Sequence, residues 1–291
     1  ERAGIDGPPQ TLAEMVEDAR KITEMGKAEG IYGFAVNLKS PAGGFGRSLE
    51  QIMLRSGHHY YDYKTGRYDY EPARPILEAF KQMYDEKITF PGVESLDIDP
   101  LRTQFADGKI GMYISGNWEV GVYNNQFPTK MEWAAAPVPV VDEVKGVSNV
   151  VTGKWLGMSS QTKHKDEVWR VMEYFYSQDV LVQYNDQGYG FSAVPSVVEN
   201  SKGQQATGAE YFTLDTSVDG PWPANPNEYG VVPEGRVQHD VFAQAMYGEV
   251  SIDDAIKDLN ERYNAALDKA LEDGKLNEII ISDFDPLNLG F

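Results

Sequence analysis

The chain has 291 residues, with 26 Lys and Arg against 45 Asp and Glu, a formal net charge of −19. Hydrophobic residues at 41% and charged residues at 24% describe a globular chain, long enough for one large domain or two ordinary ones. So acidic a chain, without a basic stripe, repels phosphate backbones; no apolar run reaches the length of a bilayer span, and the absence of Cys removes disulfides, Cys-ligated zinc and thiol catalysis.

The chain opens Glu1-Arg2-Ala3-Gly4, without an initiator Met or an apolar signal segment, so a removed targeting peptide or a start inside a longer protein is expected. Thr11-Leu12-Ala13-Glu14 is a capping-box pattern, and Leu12, Met15, Val16, Ala19, Ile22 and Met25 follow at helical spacing up to Gly30. Ile31 to Leu38 reads as a buried strand, followed by the Gly-rich loop Pro41–Gly46 and a short apolar helix through Ile52 and Leu54. His58 to Tyr70 predicts two short strands around Lys64-Thr65-Gly66. A helix after Pro72 carries Ile76, Leu77, Phe80, Met83 and Tyr84 on one face, and another covers Asp99 to Ala106. Asp107-Gly108-Lys109 turns into a strand from Ile110 to Ser115. This alternation of helix and strand favours an α/β architecture.

Beyond Gly116 the pattern reads as a helix, a short strand Trp133 to Ala136, a Pro137-Val138-Pro139 loop and strand-like segments from Val150 to Ser159. Helices are expected at Asp166–Tyr176 and Asp179–Asp186, a Gly-, Pro- and Asn-rich connector at Gly203–Pro233, and closing helices at Glu234–Tyr247 and Ser251–Leu271.

Catalytic signatures are sparse. No nucleophile elbow or phosphate loop is present, and Gly44-Phe45-Gly46 and Gly188-Tyr189-Gly190 lack the third Gly of a dinucleotide fingerprint. Adjacent His58 and His59 point to opposite sides of a strand, which is poor metal geometry, and Asp97-x-Asp99 and Asp283-x-Asp285 lack the rest of a calcium loop. With 45 acids, a glycoside-cleaving carboxylate pair has no assignable members. The aromatics say more. Trp118 follows Ser115-Gly116-Asn117 at a strand's end, Trp155 follows Thr152-Gly153-Lys154, and Trp222 lies in Gly220-Pro221-Trp222-Pro223. A flat ring at a cleft edge suits the apolar face of a pyranose. Position alone divides Trp118 evenly between that role and a core plug, and favours the core for Trp133 and Trp169.

The run Phe105-Ala106-Asp107-Gly108-Lys109-Ile110-Gly111-Met112-Tyr113-Ile114-Ser115-Gly116-Asn117-Trp118 resembles the signature of extracellular solute-binding proteins of the maltose-binding type. Pro9–Glu14, Tyr32-Gly33-Phe34, Trp133–Pro139 and Tyr247–Ala255 are similar to further segments of that family in the same order, covering about Pro8 to Leu271.

The resemblance implies a two-lobed periplasmic-binding-protein α/β fold, with the N-terminal part of the first lobe absent from this chain. Residues 8–150 and 222–291 would belong to the second lobe and residues 151–221 to the first. It also implies a sugar or oligosaccharide ligand held between the lobes, a membrane ABC permease as partner, an extracytoplasmic location as a periplasmic protein or surface lipoprotein, and no cofactor, metal or catalysis. Carried over residue by residue, the ligand-binding candidates are Trp118, Asn117, Trp155, Trp222, Phe45, Arg47 and Arg236. The alternatives are a carbohydrate-active hydrolase, or the same fold binding a peptide, polyamine or metal-chelate.

Overall fold

The computed structural model describes residues 2–129, 131–150, 156–192, 194–202, 207–212 and 217–289. The chain divides into two compact units. The larger comprises Glu1–Ser115, Pro137–Val150 and Asp215–Phe291; the smaller comprises Gly116–Ala136 and Val151–Leu214. The expected division kept residues 116–136 with the preceding segment and placed the return at Trp222. In the structure that segment belongs to the smaller unit and the return falls at Asp215.

In the larger unit, α1 (Leu12–Gly26) starts with the expected reciprocal cap: the Thr11 hydroxyl accepts from the Glu14 amide, and the Glu14 carboxylate accepts from the Thr11 amide. Its apolar stripe buries Leu12, Met15, Val16 and Ala19. Gly30, at φ 72°, ends the short 3₁₀ turn that follows. The expected long strand is shorter. Only β1 (Tyr32–Phe34) forms a ladder, pairing parallel with β4 (Ile110–Met112), while Phe34 also bridges Thr89. A π-helical turn at Ala42–Gly46 runs directly into α2 (Arg47–Arg55).

The aromatic stretch folds as the expected hairpin, β2 (Tyr61–Asp62) against β3 (Arg67–Tyr68), with Gly66 at φ 70° in its turn. Next come α3 (Arg74–Asp85) and α4 (Ile98–Ala106), the latter capped by Asp97. After the smaller unit's segments, β5 (Ser148–Asn149) pairs parallel with β6 (Asp219–Gly220). Finally α9 (Gln238–Tyr247) and α10 (Ile252–Glu272) close the unit. The core lies among α1, α2, α3, α9, α10 and the hairpin, and joins Phe34, Leu49, Ile52, Phe80, Phe242 and Leu259 to six buried tyrosines of the hairpin region and α10. The free edge of β3 is covered by side-chain amides of α10. Asn264 accepts from the Tyr68 amide at 3.0 Å and donates to its carbonyl at 2.8 Å, while Asn260 accepts from the Tyr70 amide at 2.9 Å. Residues 260 and 264 lie one turn apart on one helix face, matching alternate residues of a strand.

The smaller unit is helical among its described residues. It holds α5 (Glu119–Gly121) with a π-helical turn to Gln126, α6 (Lys165–Phe175), α7 (Gln178–Asp186) and α8 (Pro195–Asn200). The strand expected at Trp133–Ala136 does not form, because no described segment offers it a ladder. Trp133 instead packs on Tyr123 and over Gly208, where a Cβ would meet its ring at 2.2 Å. Trp169, expected in a core, is 55% exposed, and α6 buries none of its residues. Its periodicity makes it a helix without supplying a cover for the stripe.

The tightest packing in the larger unit joins α1 to β1. A Cβ on Gly33 would lie 2.0 Å from the Ala19 carbonyl oxygen, so only glycine fits. The Gly33 amide donates at 2.8 Å to the Thr23 hydroxyl, which itself donates to the Ala19 carbonyl at 2.8 Å. Gly33→Ala therefore forces helix and strand apart and should cost about 3 kcal/mol, at the upper end of overpacking penalties. Chemical denaturation with an unchanged m-value and a lower midpoint is the expected result.

Candidate functional site

Parallel strands deliver their following loops to one edge, where ligands of α/β folds gather. From β1 the chain continues extended, with the Leu38 amide donating to Val93 and that of Lys39 to Leu96. It then enters the π-helical turn. A Cβ on Gly44 would lie 2.1 Å from the Asn37 carbonyl oxygen, and one on Gly46 would lie 2.2 Å from the His239 ring of α9. These glycines thus let the turn fold back on the strand exit and let α9 close over it. Between this loop and α9 lies a groove of about 560 Å³, lined by Leu38, Lys39, Glu94, Arg236, Asp240 and Tyr247 among others. Lys39 is paired with Asp97 at 3.0 Å, and Glu94 accepts from the Tyr84 hydroxyl at 2.5 Å. Arg236, two residues before α9, is exposed and lines the groove with Asp240 of the helix's first turn.

Of the residues singled out in the sequence, Arg236 lines this groove. Phe45 does not: it has no exposed surface and packs on Phe80 at 5.2 Å, so it is a core residue. The Gly-x-Phe-Gly pattern turns its ring inward instead of toward ligand. Arg47 opens α2 and is partly exposed. Trp222 is already engaged: its indole N–H donates to the Val147 carbonyl at 3.0 Å, and its ring lies on His59 and Phe284 with centroids 6.3 and 5.5 Å away. In the smaller unit, Asn117 and Trp118 are partly exposed. The Trp118 ring covers Gly116, where a Cβ would meet it at 2.4 Å, and its N–H donates to the buried Glu119 carboxylate at 3.0 Å. Trp155 lies outside the described residues. The two acidic doublets have structural uses: Asp97 caps α4 and Asp285 accepts from the Leu287 amide at 3.0 Å.

A second polar group was not legible in the sequence. Glu50, one turn into α2, sits in a protein-lined setting with Glu228, Arg47, Tyr60 and Tyr63 near enough to act on it electrostatically. Burial, and then the Glu228 charge, push its pKa up to about 7; Arg47 opposes this. His59, buried beneath Trp222, is pushed down to about 4 by desolvation. The Tyr60 hydroxyl and His239 Nε2 are buried with no hydrogen-bond partner among the described residues. An isolated Glu inside a helix gives no signal of such a setting, since Glu228 arrives from 178 positions later.

The family model described as bacterial extracellular solute-binding protein matches residues 1–181 of the chain. The chain belongs to this family. Solute-binding proteins of solved structure share its fold. That of Thermotoga lettingae TMO, an ABC transporter component bound with alpha-D-tagatose, is 20% identical with TM-score 0.72, over 91% of this chain and 67% of that one. Maltose-bound MalE3 of T. maritima is 20% identical with TM-score 0.70, over 89% and 66%. The sugar-binding protein MalE of Xanthomonas citri is 19% identical with TM-score 0.63, over 94% and 68%. A curated binding protein of Brucella abortus (strain 2308) is 26% identical over 207 residues, 67% of this chain. The match spans 46% of that relative's length. The fold is therefore the two-lobed α/β fold of periplasmic binding proteins, and no described helix of this solute-binding protein is long and apolar enough to cross a membrane.

The Glu50 setting makes a pH prediction. A carboxyl whose folded pKa is raised holds its proton more tightly in the native state, so unfolding free energy falls as pH rises from about 4.5 to about 7. His59 works oppositely, losing stability as pH falls from 6.5 toward about 4, so the wild-type profile mixes both groups. Glu50→Gln isolates the first. The variant should be more stable than wild type at pH 8 by on the order of 2 kcal/mol, with the difference closing by pH 4.5. Denaturant titrations of both proteins at the two pH values read this directly.

Proposed function

We propose that this solute-binding protein captures a saccharide outside the cytoplasmic membrane and delivers it, covalently unchanged, to the permease of an ABC importer. The observation that carries the reading is the fold it shares with proteins that hold alpha-D-tagatose and maltose. The groove beside α9 supports it chemically, because the Arg236 fork and the Asp240 carboxylate can donate to and accept from vicinal hydroxyls while Leu38 and Tyr247 supply apolar surface. Trp118 is the proposed stacking ring, with the Asn117 amide beside it and Arg47 a further hydrogen-bond donor. Trp155 keeps its assignment from the resemblance alone. Phe45 and Trp222 leave the ligand set on their packing.

A tryptophan-fluorescence titration against mono- and oligosaccharides tests the proposal, since five Trp report on the chain. A saturable shift with the sugar recovered intact is expected. Trp118→Ala should weaken binding by about 1–3 kcal/mol, the worth of one aromatic face removed from water. Silence across the whole panel would sink the saccharide assignment, and a product sugar of altered mass would sink the non-catalytic one.

A further inference from the structure

The chain leaves the larger unit after Val150 and re-enters it at Asp215, and the two crossings are tied by β5 and β6. This pair is two residues long, parallel and only partly buried. Its backbone bonds run from the Ser148 amide to Val218 and from the Val150 amide to Gly220, at 2.8 and 3.1 Å. Two isolated strands this short do not hold together in water, and parallel pairing is the weaker kind. Something else must fix them.

The residues after α10 provide it. The Ile281 amide donates to the Tyr63 carbonyl at 2.8 Å, and the Tyr61 hydroxyl donates to the Ile279 carbonyl at 2.8 Å, which lays this segment across the hairpin. Further on, the Val147 amide donates to the Pro286 carbonyl at 2.9 Å. Val147 immediately precedes β5, and its carbonyl accepts from the Trp222 indole, two residues beyond β6. The Trp222 ring meets Phe284 at 5.5 Å, and Phe284 meets Tyr63 at 4.8 Å. Tyr63 returns to the crossing by donating its hydroxyl to the Pro223 carbonyl at 2.5 Å. Val147, Pro286, Phe284 and Trp222 therefore form a closed ring of contacts around the roots of both crossings.

We propose that Trp222 and the segment Ile279–Asn288 are a brace that holds the β5–β6 pair and so limits how freely the chain bends at the two crossings after Val150 and before Asp215. Trp222 is a positioning residue in this assignment. The proposal rests on the reading as a solute-binding protein, whose domains close by hinge motion on capturing ligand.

Two variants of the full chain test it without any ligand. Trp222→Phe keeps a ring and deletes the indole donor; Phe284→Ala deletes the ring contact. In native-state hydrogen exchange, the Ser148 and Val150 amides should exchange about tenfold faster in both variants, while those of Ile88 and Leu259 in the core keep their rates. Because the chain has no Cys, Glu272→Cys on α10 and Glu167→Cys on α6 can carry spin labels at defined exposed sites. The distance distribution between the labels should broaden in both variants. Unchanged exchange at Ser148 and Val150 would overturn the brace, as would acceleration of Ile88 and Leu259 by the same factor, or an unbroadened distribution. A failed sugar titration would leave these readouts intact and count only against the saccharide reading.

Discussion

The close approach of α1 to β1 sets the geometry on which the larger unit depends. With no side chain at Gly33, the strand backbone lies against the Ala19 carbonyl, and the Thr23 hydroxyl both accepts from the strand and donates to the helix. A buried hydroxyl satisfied twice fixes register as well as distance. Once β1 is seated, β4 pairs with it in parallel, and the exits of both strands face one edge. The loop with Lys39 and Pro41 leaves from one exit, and the turn toward Asn117 and Trp118 leaves from the other. The groove-lining loop of the larger unit thus inherits its placement from a helix–strand contact that holds no ligand group.

Charge plays a smaller part in holding this fold than the net value of −19 suggests. Among the described residues most ion pairs are exposed, and many join residues three or four apart on one helix, such as Arg262 with Asp258 and Lys81 with Asp85. Pairs of that kind contribute a few tenths of a kcal/mol each. The weight falls on aromatic burial, with Tyr68, Tyr70 and Tyr263 packed ring to ring, and on the α10 amides that satisfy the edge of β3. Against that background Glu50 is an exception, an acid kept where its charge is disfavoured by burial and by Glu228. An Ala or Leu would pack there without the penalty.

Local chemistry made much of this legible in sequence. The Thr11–Glu14 box and the apolar stripes of α1 and α3 each follow from contacts within one or two turns, and each formed as expected. The family resemblance read from Phe105–Trp118 agrees with the matched family model. What failed depended on distant partners. Trp133–Ala136 has strand-like residues and no neighbouring strand, and Trp169 lies on an amphipathic helix whose stripe the described residues leave uncovered. The unit boundary at Gly116 is set by contacts with residues beyond 150, which no local pattern encodes. Glu50 and Glu228 meet only through the fold.

Trp118 and Trp222 illustrate why residue type alone could not name the site. Both follow glycine-containing turns near short strands, and both donate an indole hydrogen bond at 3.0 Å. The acceptor decides the difference. Trp118 donates to the carboxylate of the next residue, and one edge of its ring lies over Gly116. Trp222 donates to a backbone carbonyl 75 positions away and is flanked by His59 and Phe284. A ring that joins two distant segments cannot turn toward a ligand without releasing them. The partner of the N–H therefore sets Trp222 apart as the ring that joins distant segments of the larger unit.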